Sequence, residues 1–515
     1  MIGGLKKTTS RFAIAAAASV IATSAMAADL GGNCCADLEE RIAELEATTA
    51  RKGNRRVSLT VYGQVNEGVL WWDDGEESNA YVVTNENSRT RFGFRGDARI
   101  NPEWSAGFLL EVGVRIANSG HVNQFVDDNV ASIDALDLRH SAWYIESNRL
   151  GRVWVGHTNM ATEGITEINL SNAAVIGAVD VNNFAGGFFV RHNGRLLATR
   201  TDVPDTVTPL VTGLRWRDLT SQFFGQANPG DGTRANLVRY VSPTFSGFTF
   251  SASWGEDDFW DVALRYANEF NGVRVAGGIG YQKWTDGNSF DLVRGVGEEE
   301  VIAGVLTGSQ GEPGCADLHR LTNPVDAAIA GAEGHDVDCH ALGLSGSVMH
   351  VPTGLYLFGA YGFVEDENRR LLFALQSDGE ILNADDRDEF WYVQAGIEKN
   401  FTGLGNTTIY GEYYKGEAGA GLSSGNVRNL AIFFPDSGFD EIFMTSSTLE
   451  VWGFGLVQQI DAAAMDLYIG FRNYSGDANL LGLELSGGGD VVDRARRKVD
   501  FDDFQAVFAG AMIRF

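Results

Sequence analysis

The chain runs to 515 residues with 40 basic and 68 acidic side chains, a formal net charge of −28 at pH 7. So acidic a surface excludes nucleic acid as a partner. Glycine is abundant (63) and proline scarce (9); past the leader no apolar run approaches the roughly 18–20 residues of a spanning helix, so sheet is favoured over a helix bundle.

At the start, Lys6, Lys7 and Arg11 precede an apolar stretch from Phe12 to about Ala22, and Ala25-Met26-Ala27 stand before Ala28. Charge, apolar core and A-x-A in that order read as a secretory signal peptide over residues 1–27, so export is expected. In an oxidising compartment cysteines are more often bonded than reactive. Cys315 and Cys339 are expected to close a loop, while Cys34 and Cys35 either join subunits or form a vicinal bridge. A zinc site is the weaker alternative, because the pairs lack metal-ligand spacing and have few histidines nearby.

From residue 57 onward the dominant signal is period two. Trp104, Ala106, Phe108, Leu110, Val112, Val114 and Ile116 share one face of a strand, with Ser105, Gly107, Glu111, Gly113 and Arg115 on the other. Phe248, Phe250, Ala252 and Trp254 oppose Thr249, Ser251 and Ser253, and Met465, Leu467, Ile469 and Phe471 oppose Asp466, Tyr468, Gly470 and Arg472. One face consistently apolar and the other charged or glycine is what a strand needs when lipid lies on one side and water on the other. The pattern predicts strands near 57–71, 88–100, 104–116, 138–147, 151–157, 234–242, 246–254 and 259–270, then 273–284, 340–350, 354–364, 389–400, 406–416, 448–460, 464–473 and 504–515. Those near 354 and 448 alternate poorly.

Sixteen is an even number, as a barrel with both chain ends on one side requires. The connections alternate between short ones (NPE at 101, NRL at 148, PTF at 243, NG at 271, VPTG at 351, FTGLG at 401, DAA at 461) and long ones. Short periplasmic turns and longer outer loops are the mark of an outer-membrane barrel. The expected fold is therefore all-β, a sixteen-stranded antiparallel transmembrane β-barrel over residues 57–515 in the outer membrane of a Gram-negative bacterium. Trp71, Trp104, Trp254, Trp260, Trp284 and Trp391, near strand ends, are expected in aromatic girdles.

The segment NCCADLEERIAELEATTARKGNRRVSLTVYGQVN, with WWDDG at 71 and NSRTRFGFRGDARI at 87, resembles the mature start of the alphaproteobacterial porin family, and the terminal Phe515 resembles the assembly signal of outer-membrane proteins. The resemblance is sharpest over the first hundred mature residues and weakest in the long loops. It implies a general diffusion channel, passing small hydrophilic solutes and ions, that assembles as a homotrimer. Residues 28–56 are then a periplasmic extension. Ala36 to Ala50 reads as a short helix with Leu38, Ile42, Leu45 and Thr49 on one side, and three copies on a trimer axis would pack as a small coiled coil. A mobile tail is the plainer reading.

A barrel this wide needs a loop to narrow it. The connection 158–233 has the ordinal position of the third outer loop, which resembles the one folded into the lumen of general porins; it carries Glu163, Glu167 and Asp180 as well as Arg191, Arg195 and Arg200. Arg89, Arg91, Arg95 and Arg99 share parity and are expected to line one strip of wall, with Arg115 inward on the next strand. Arginines facing loop carboxylates would set a transverse field across the narrowest section. The plainer alternative is that they only brace the loop.

The rivals are an enzyme, a sugar-selective porin and an envelope anchor or adhesin. GLSGS at 343 lacks the final glycine of a G-x-S-x-G elbow and no H-E-x-x-H occurs, so no catalytic site is expected. A sugar channel would carry an inward aromatic slide, whereas the cleanest inward faces are charged, glycine or small. No cofactor is expected. Divalent cations such as calcium could bridge the acidic outer loops, DDGEES at 73 and EDEN at 365, to lipopolysaccharide; a solvated face without ions is the alternative.

Overall fold

A computed structural model describes residues 57–114, 116–127, 136–201, 210–221, 226–255, 259–285, 339–366, 385–419, 422–423, 441–485 and 491–515. Among them sixteen antiparallel strands close into a barrel: β1 (Ser58–Asp73), β2 (Arg91–Arg99), β3 (Trp104–Val114), β4 (Leu136–Ser147), β5 (Gly151–Asn159), β6 (Arg234–Val241), β7 (Phe248–Gly255), β8 (Phe259–Phe270), β9 (Val273–Trp284), β10 (Cys339–His350), β11 (Leu355–Asp366), β12 (Arg387–Lys399), β13 (Thr407–Ala418), β14 (Glu441–Ile460), β15 (Met465–Leu485) and β16 (Phe504–Arg514). Each pairs with its sequence neighbours, and β1 pairs with β16 from Gln64↔Arg514 to Asp73↔Gln505. Gly63 and Phe515 add a reciprocal pair of backbone hydrogen bonds of 3.0 and 3.1 Å, so the terminal residue is part of the closing seam. Closure leaves no free edge, which is what lets a sheet satisfy its amides in hydrocarbon.

Period two sets the two faces. Val61, Val65, Phe250, Leu264, Leu357 and Ile469 all point out and are exposed, part of an apolar belt that a protein in water would have buried. Of the tryptophans expected in girdles, Trp71, Trp254, Trp260 and Trp391 do face outward, and Trp104 is half-buried. Trp284 does not: it turns inward, 1% exposed, and packs on Phe259 at 6.1 Å between ring centroids.

The short connections form one rim and the long ones the other, apart from the brief link between β7 and β8 at the long-loop rim. β8 and β9 are joined by Asn271 and Gly272 alone, at φ +52° and +75°; two positive φ angles make the turn whose twist matches the hairpin, which only Asn-Gly and its like adopt without strain. At the long-loop rim β14 and β15 rise beyond their expected ends, and a strand at Val491–Asp500 pairs with the upper part of β15.

One expected strand is shorter than the parity reading made it. Strand β2 begins at Arg91 rather than 88, because Glu86–Ser88 form a 3-10 turn that bends into the barrel, capped by the Asn85 side chain on Asn87 N. Cys339 opens β10, is fully buried and is disulfide-bonded. Cys315, Cys34, Cys35, Arg115, the leader and the 28–56 extension with its expected helix lie outside the described residues.

Candidate functional site

Between β5 and β6 the chain folds into the barrel and lies along the wall of β7 to β16. Wall side chains receive its backbone in chain order. Ser253 Oγ accepts from Ala161 N at 3.1 Å, Asp261 Oδ2 from Thr162 N and Oγ1 at 2.7 Å each, Ser345 Oγ from Ile168 N at 3.1 Å, and Glu398 Oε2 from Asn172 N at 2.6 Å. Arg239 and Arg265 donate to the carbonyls of Met160, Ala161 and Glu163.

Inward glycines form sockets beneath the loop. A Cβ at Gly278 would meet Ile165 and Ile168 at 2.7 and 2.8 Å, one at Gly470 would meet Ile176 at 2.9 Å, and one at Gly362 would lie 2.0 Å from the carbonyl of Pro229. Further round, Phe184 packs edge-on against Phe508 and Phe188 lies on Phe504, with centroids 5.7 and 4.9 Å apart. Tyr356, Phe358, Tyr392, Tyr410 and Tyr474 of the same wall are buried as well. The expectation of small or charged inward faces therefore fails on β11 to β16, where the loop covers the wall and an apolar interior is stable. It also explains why the strand near 354 alternated poorly: Leu355 and Leu357 face out while Tyr356 and Phe358 face the loop.

The loop's opposite side is held from the connections that follow β1 and β3. Asn85 Nδ2 donates to Val175 O at 2.9 Å, and Ser119 Oγ to Asn183 O at 2.5 Å. Two buried carboxylates stitch the loop to itself. Asp231 accepts from Gly164 N, Thr166 N and Thr166 Oγ1 at 2.7, 2.8 and 2.6 Å; Asp180, 6% exposed, accepts from Asn182 N, Asn183 Nδ2 and Ala227 N at 3.0–3.2 Å. Burial pushes the Asp231 carboxyl up to about 7, with the nearby charge of Glu167 adding to it, and pushes Asp180 up to about 6 against the hydrogen bond from Ala227.

The inner face of β2 to β5 is ionic, with Arg95 and Arg99 exposed on it. Glu111 of β3 sits at its centre, 2.7 Å from Arg139 Nε and 3.8 Å from Arg91 Nε, and accepts from the Tyr62 hydroxyl at 2.9 Å. Lower on the wall Arg152 pairs with Glu146 at 2.6 Å and lies over the Tyr144 ring at 4.3 Å, and the Tyr144 hydroxyl donates to Asp97. Arg95 is exposed to the lumen and stands over the Tyr62 ring at 5.7 Å; Arg99, also exposed, donates to Asn101 O at 3.3 Å near the short-turn rim.

Of the residues singled out from sequence, Arg91, Arg95 and Arg99 thus share one strip of β2. Arg89 departs from it because the inward turn comes before the strand; it is buried, with Asp137 at 3.0 Å and Glu86 at 3.6 Å. Glu163 stands at the loop's root, accepting from Asn159 at 2.9 Å with Arg234 at 3.9 Å. Glu167 is half-buried in the loop, and Asp180 faces the loop's interior rather than the lumen. Arg139, Arg152, Arg234, Arg239 and Arg265 were not singled out, although the inward parity of Arg152 beside Trp154 marks it in the sequence. Among the described residues no group of three or more His, Cys, Asp or Glu is arranged to hold a metal ion.

No curated protein matches the sequence. Among solved structures the chain is similar to an anion-selective porin from Comamonas acidovorans (15% identity, 89% of this chain and 100% of that one, TM-score 0.45), to Salmonella typhi OmpF in complex with daunomycin (11%, 89% and 98%, 0.43) and to Pseudomonas putida OprB (10%, 93% and 97%, 0.41). The family model described as Gram-negative porin matches residues 13–479. With a closed apolar-belted barrel and an ionic inner wall, the chain belongs to the Gram-negative porin family and is an outer-membrane channel for diffusion.

Proposed function

We propose that the inward loop at about 158–233 is the constriction of a general diffusion pore and that solutes pass between it and the open wall of β2 to β5. What carries this reading is the division of the lumen, with β7 to β16 occupied by the loop while Arg95 and Arg99 of β2 stay exposed on the opposite wall, beside the largely buried cluster of Arg91, Glu111 and Arg139. Those arginines opposite Glu163 and Glu167 would orient polar solutes and oppose passage of apolar ones, which would lose hydration without gaining a partner. Asp180 and Arg89 belong to the frame of the constriction rather than its lining. The aromatic rings of β11 to β16 lie under the loop rather than along a slide for sugars.

The assembly is read as a homotrimer seated among lipid and lipopolysaccharide, of the alphaproteobacterial type, with residues 1–27 removed on export and 28–56 on the periplasmic side. Calcium or a similar cation on the acidic outer loops belongs to the same reading. Purified protein in a planar bilayer should give stable conductance steps, grouped in threes. Arg95→Glu should move the reversal potential toward cations, most at low salt where charges are least screened; an unchanged potential would place Arg95 away from the narrowing, and an inert bilayer would favour the anchoring role.

A further inference from the structure

We infer that Arg472 and Glu412 are positioning residues for the constriction: a buried ion pair that sets where the tip of the inward loop stands in the lumen. The inference rests on the reading of that loop as the constriction. Glu412 on β13, Gly453 on β14 and Arg472 on β15 lie in one register row, Glu412↔Gly453 and Gly453↔Arg472. Strands two apart are separated by roughly 9–10 Å, so two charged side chains in such a row ordinarily have a third between them. Here the middle residue has no side chain, and the arginine reaches over it; a Cβ on Gly453 would stand 2.8 Å from Glu412 Oε1 and 3.0 Å from Arg472 Cγ.

The contact is bidentate, Arg472 Nε to Oε1 at 2.7 Å and Nη2 to Oε2 at 3.0 Å, and the side chains are 0% and 2% exposed. Arg472 Nη2 also donates to Ala178 O at 2.7 Å, and the guanidinium lies 5.0 Å from the Phe184 ring centroid. The Tyr392 hydroxyl donates to Glu412. On either side, Gly177 O accepts from Gln394 Nε2 at 3.0 Å and Val181 O from the Tyr474 hydroxyl at 2.9 Å. Carbonyls 177, 178 and 181 thus all end on the wall, with the charged donor in the middle.

Stability alone does not account for burying the pair, since apolar side chains of similar volume hold a core as well or better. What the pair supplies is direction. The guanidinium is locked by Glu412 through Nε and Nη2, and the second N–H of Nη2 is thereby aimed at a single carbonyl, a geometry a flexible or apolar side chain cannot impose. Ala174 and Ala178 lie on the loop's partly exposed side, so a shift of this tip changes the free width of the lumen. Glu163 is rooted separately, at the base of the loop. Releasing the tip should therefore alter conductance and leave charge preference alone.

The test uses the full chain, reconstituted, with Arg472→Met, Glu412→Gln and the conservative Arg472→Lys. Assembly is checked by heat-modifiable migration; amide exchange is read over residues 176–186, and conductance and reversal potential in bilayers. Arg472→Met should raise exchange there roughly tenfold or more, turn steady steps into noisy or subdivided ones and leave the reversal potential in place, with Arg472→Lys intermediate. If the single variants fail to assemble, Arg472→Met with Glu412→Leu leaves no unpaired charge and still removes the donor to Ala178. Exchange unchanged by loss of the donor overturns the proposal. Exchange raised with conductance unaltered keeps the anchor and removes the constriction reading instead.

Discussion

The two halves of the barrel wall obey the same outer rule and opposite inner ones. Outside, β2 to β5 and β9 to β16 alike present apolar side chains; inside, the first group carries arginine, glutamate and aspartate, the second glycine and aromatic rings together with charges such as Glu412 and Arg472 that are buried under the loop. The difference follows from what each inner face meets. Water can solvate Arg95 and Arg99, whereas Gly278, Gly362 and Gly470 lie against loop atoms that a side chain would displace. The inward glycines of β9, β11 and β15 are seats for the loop, and a charge on that side of the wall, such as Arg472, is spent on a loop carbonyl rather than on water.

The contrast can be broken most severely at a seat. Gly362→Leu puts a side chain where Pro229 O now lies, and overpacking of this kind costs about 3 kcal/mol. Thermal stability should fall and loop proteolysis should rise; an unaffected loop would mean the glycine is not a seat. On the open wall the largest single effect should come from Glu111→Gln, which leaves Arg91 and Arg139 without their carboxylate. A loss of about 2 kcal/mol is expected, with the reversal potential moved toward anions, a change that Gly362→Leu should not produce in that direction.

A smaller effect is pH-dependent. Asp231 is held above its ordinary value, so the folded loop binds a proton that the unfolded chain has already released between about pH 4 and 7. Its contribution is present in acid and is lost as pH rises through about 7. Protection of the loop from protease should be several-fold better at pH 5 than at pH 8, and Asp231→Asn should flatten that difference while leaving the open wall's selectivity as it was. The smallest change expected is Tyr62→Phe, which removes one hydrogen bond to Glu111 at about 1 kcal/mol or less and should shift conductance only slightly.

Much of the architecture was legible because it depends on local alternation. All sixteen strands stand where period two placed them, within a few residues except at the long-loop ends of β14 and β15, which run further, and the short turns at 101, 148, 243, 271, 351, 401 and 461 are the turns observed. The strip of Arg91, Arg95 and Arg99 was legible for the same reason. Arg89 was misplaced by that same logic, because parity continues through a segment whether or not the chain turns inward, and the Asn85 cap that stops the strand is a hydrogen bond no spacing reveals.

By itself, then, the sequence determined the number of strands, the face each presents to lipid and the end at which the loops gather, since lipid and water impose a period of two on every residue along a spanning strand. Which inner faces stay wet was decided only by tertiary structure. Glu412 and Arg472 are 60 residues apart, and they meet through the gap at Gly453 to hold Ala178. A pairing over that distance depends on the closed wall and the loop packed against it, and neither leaves a periodic trace in the chain.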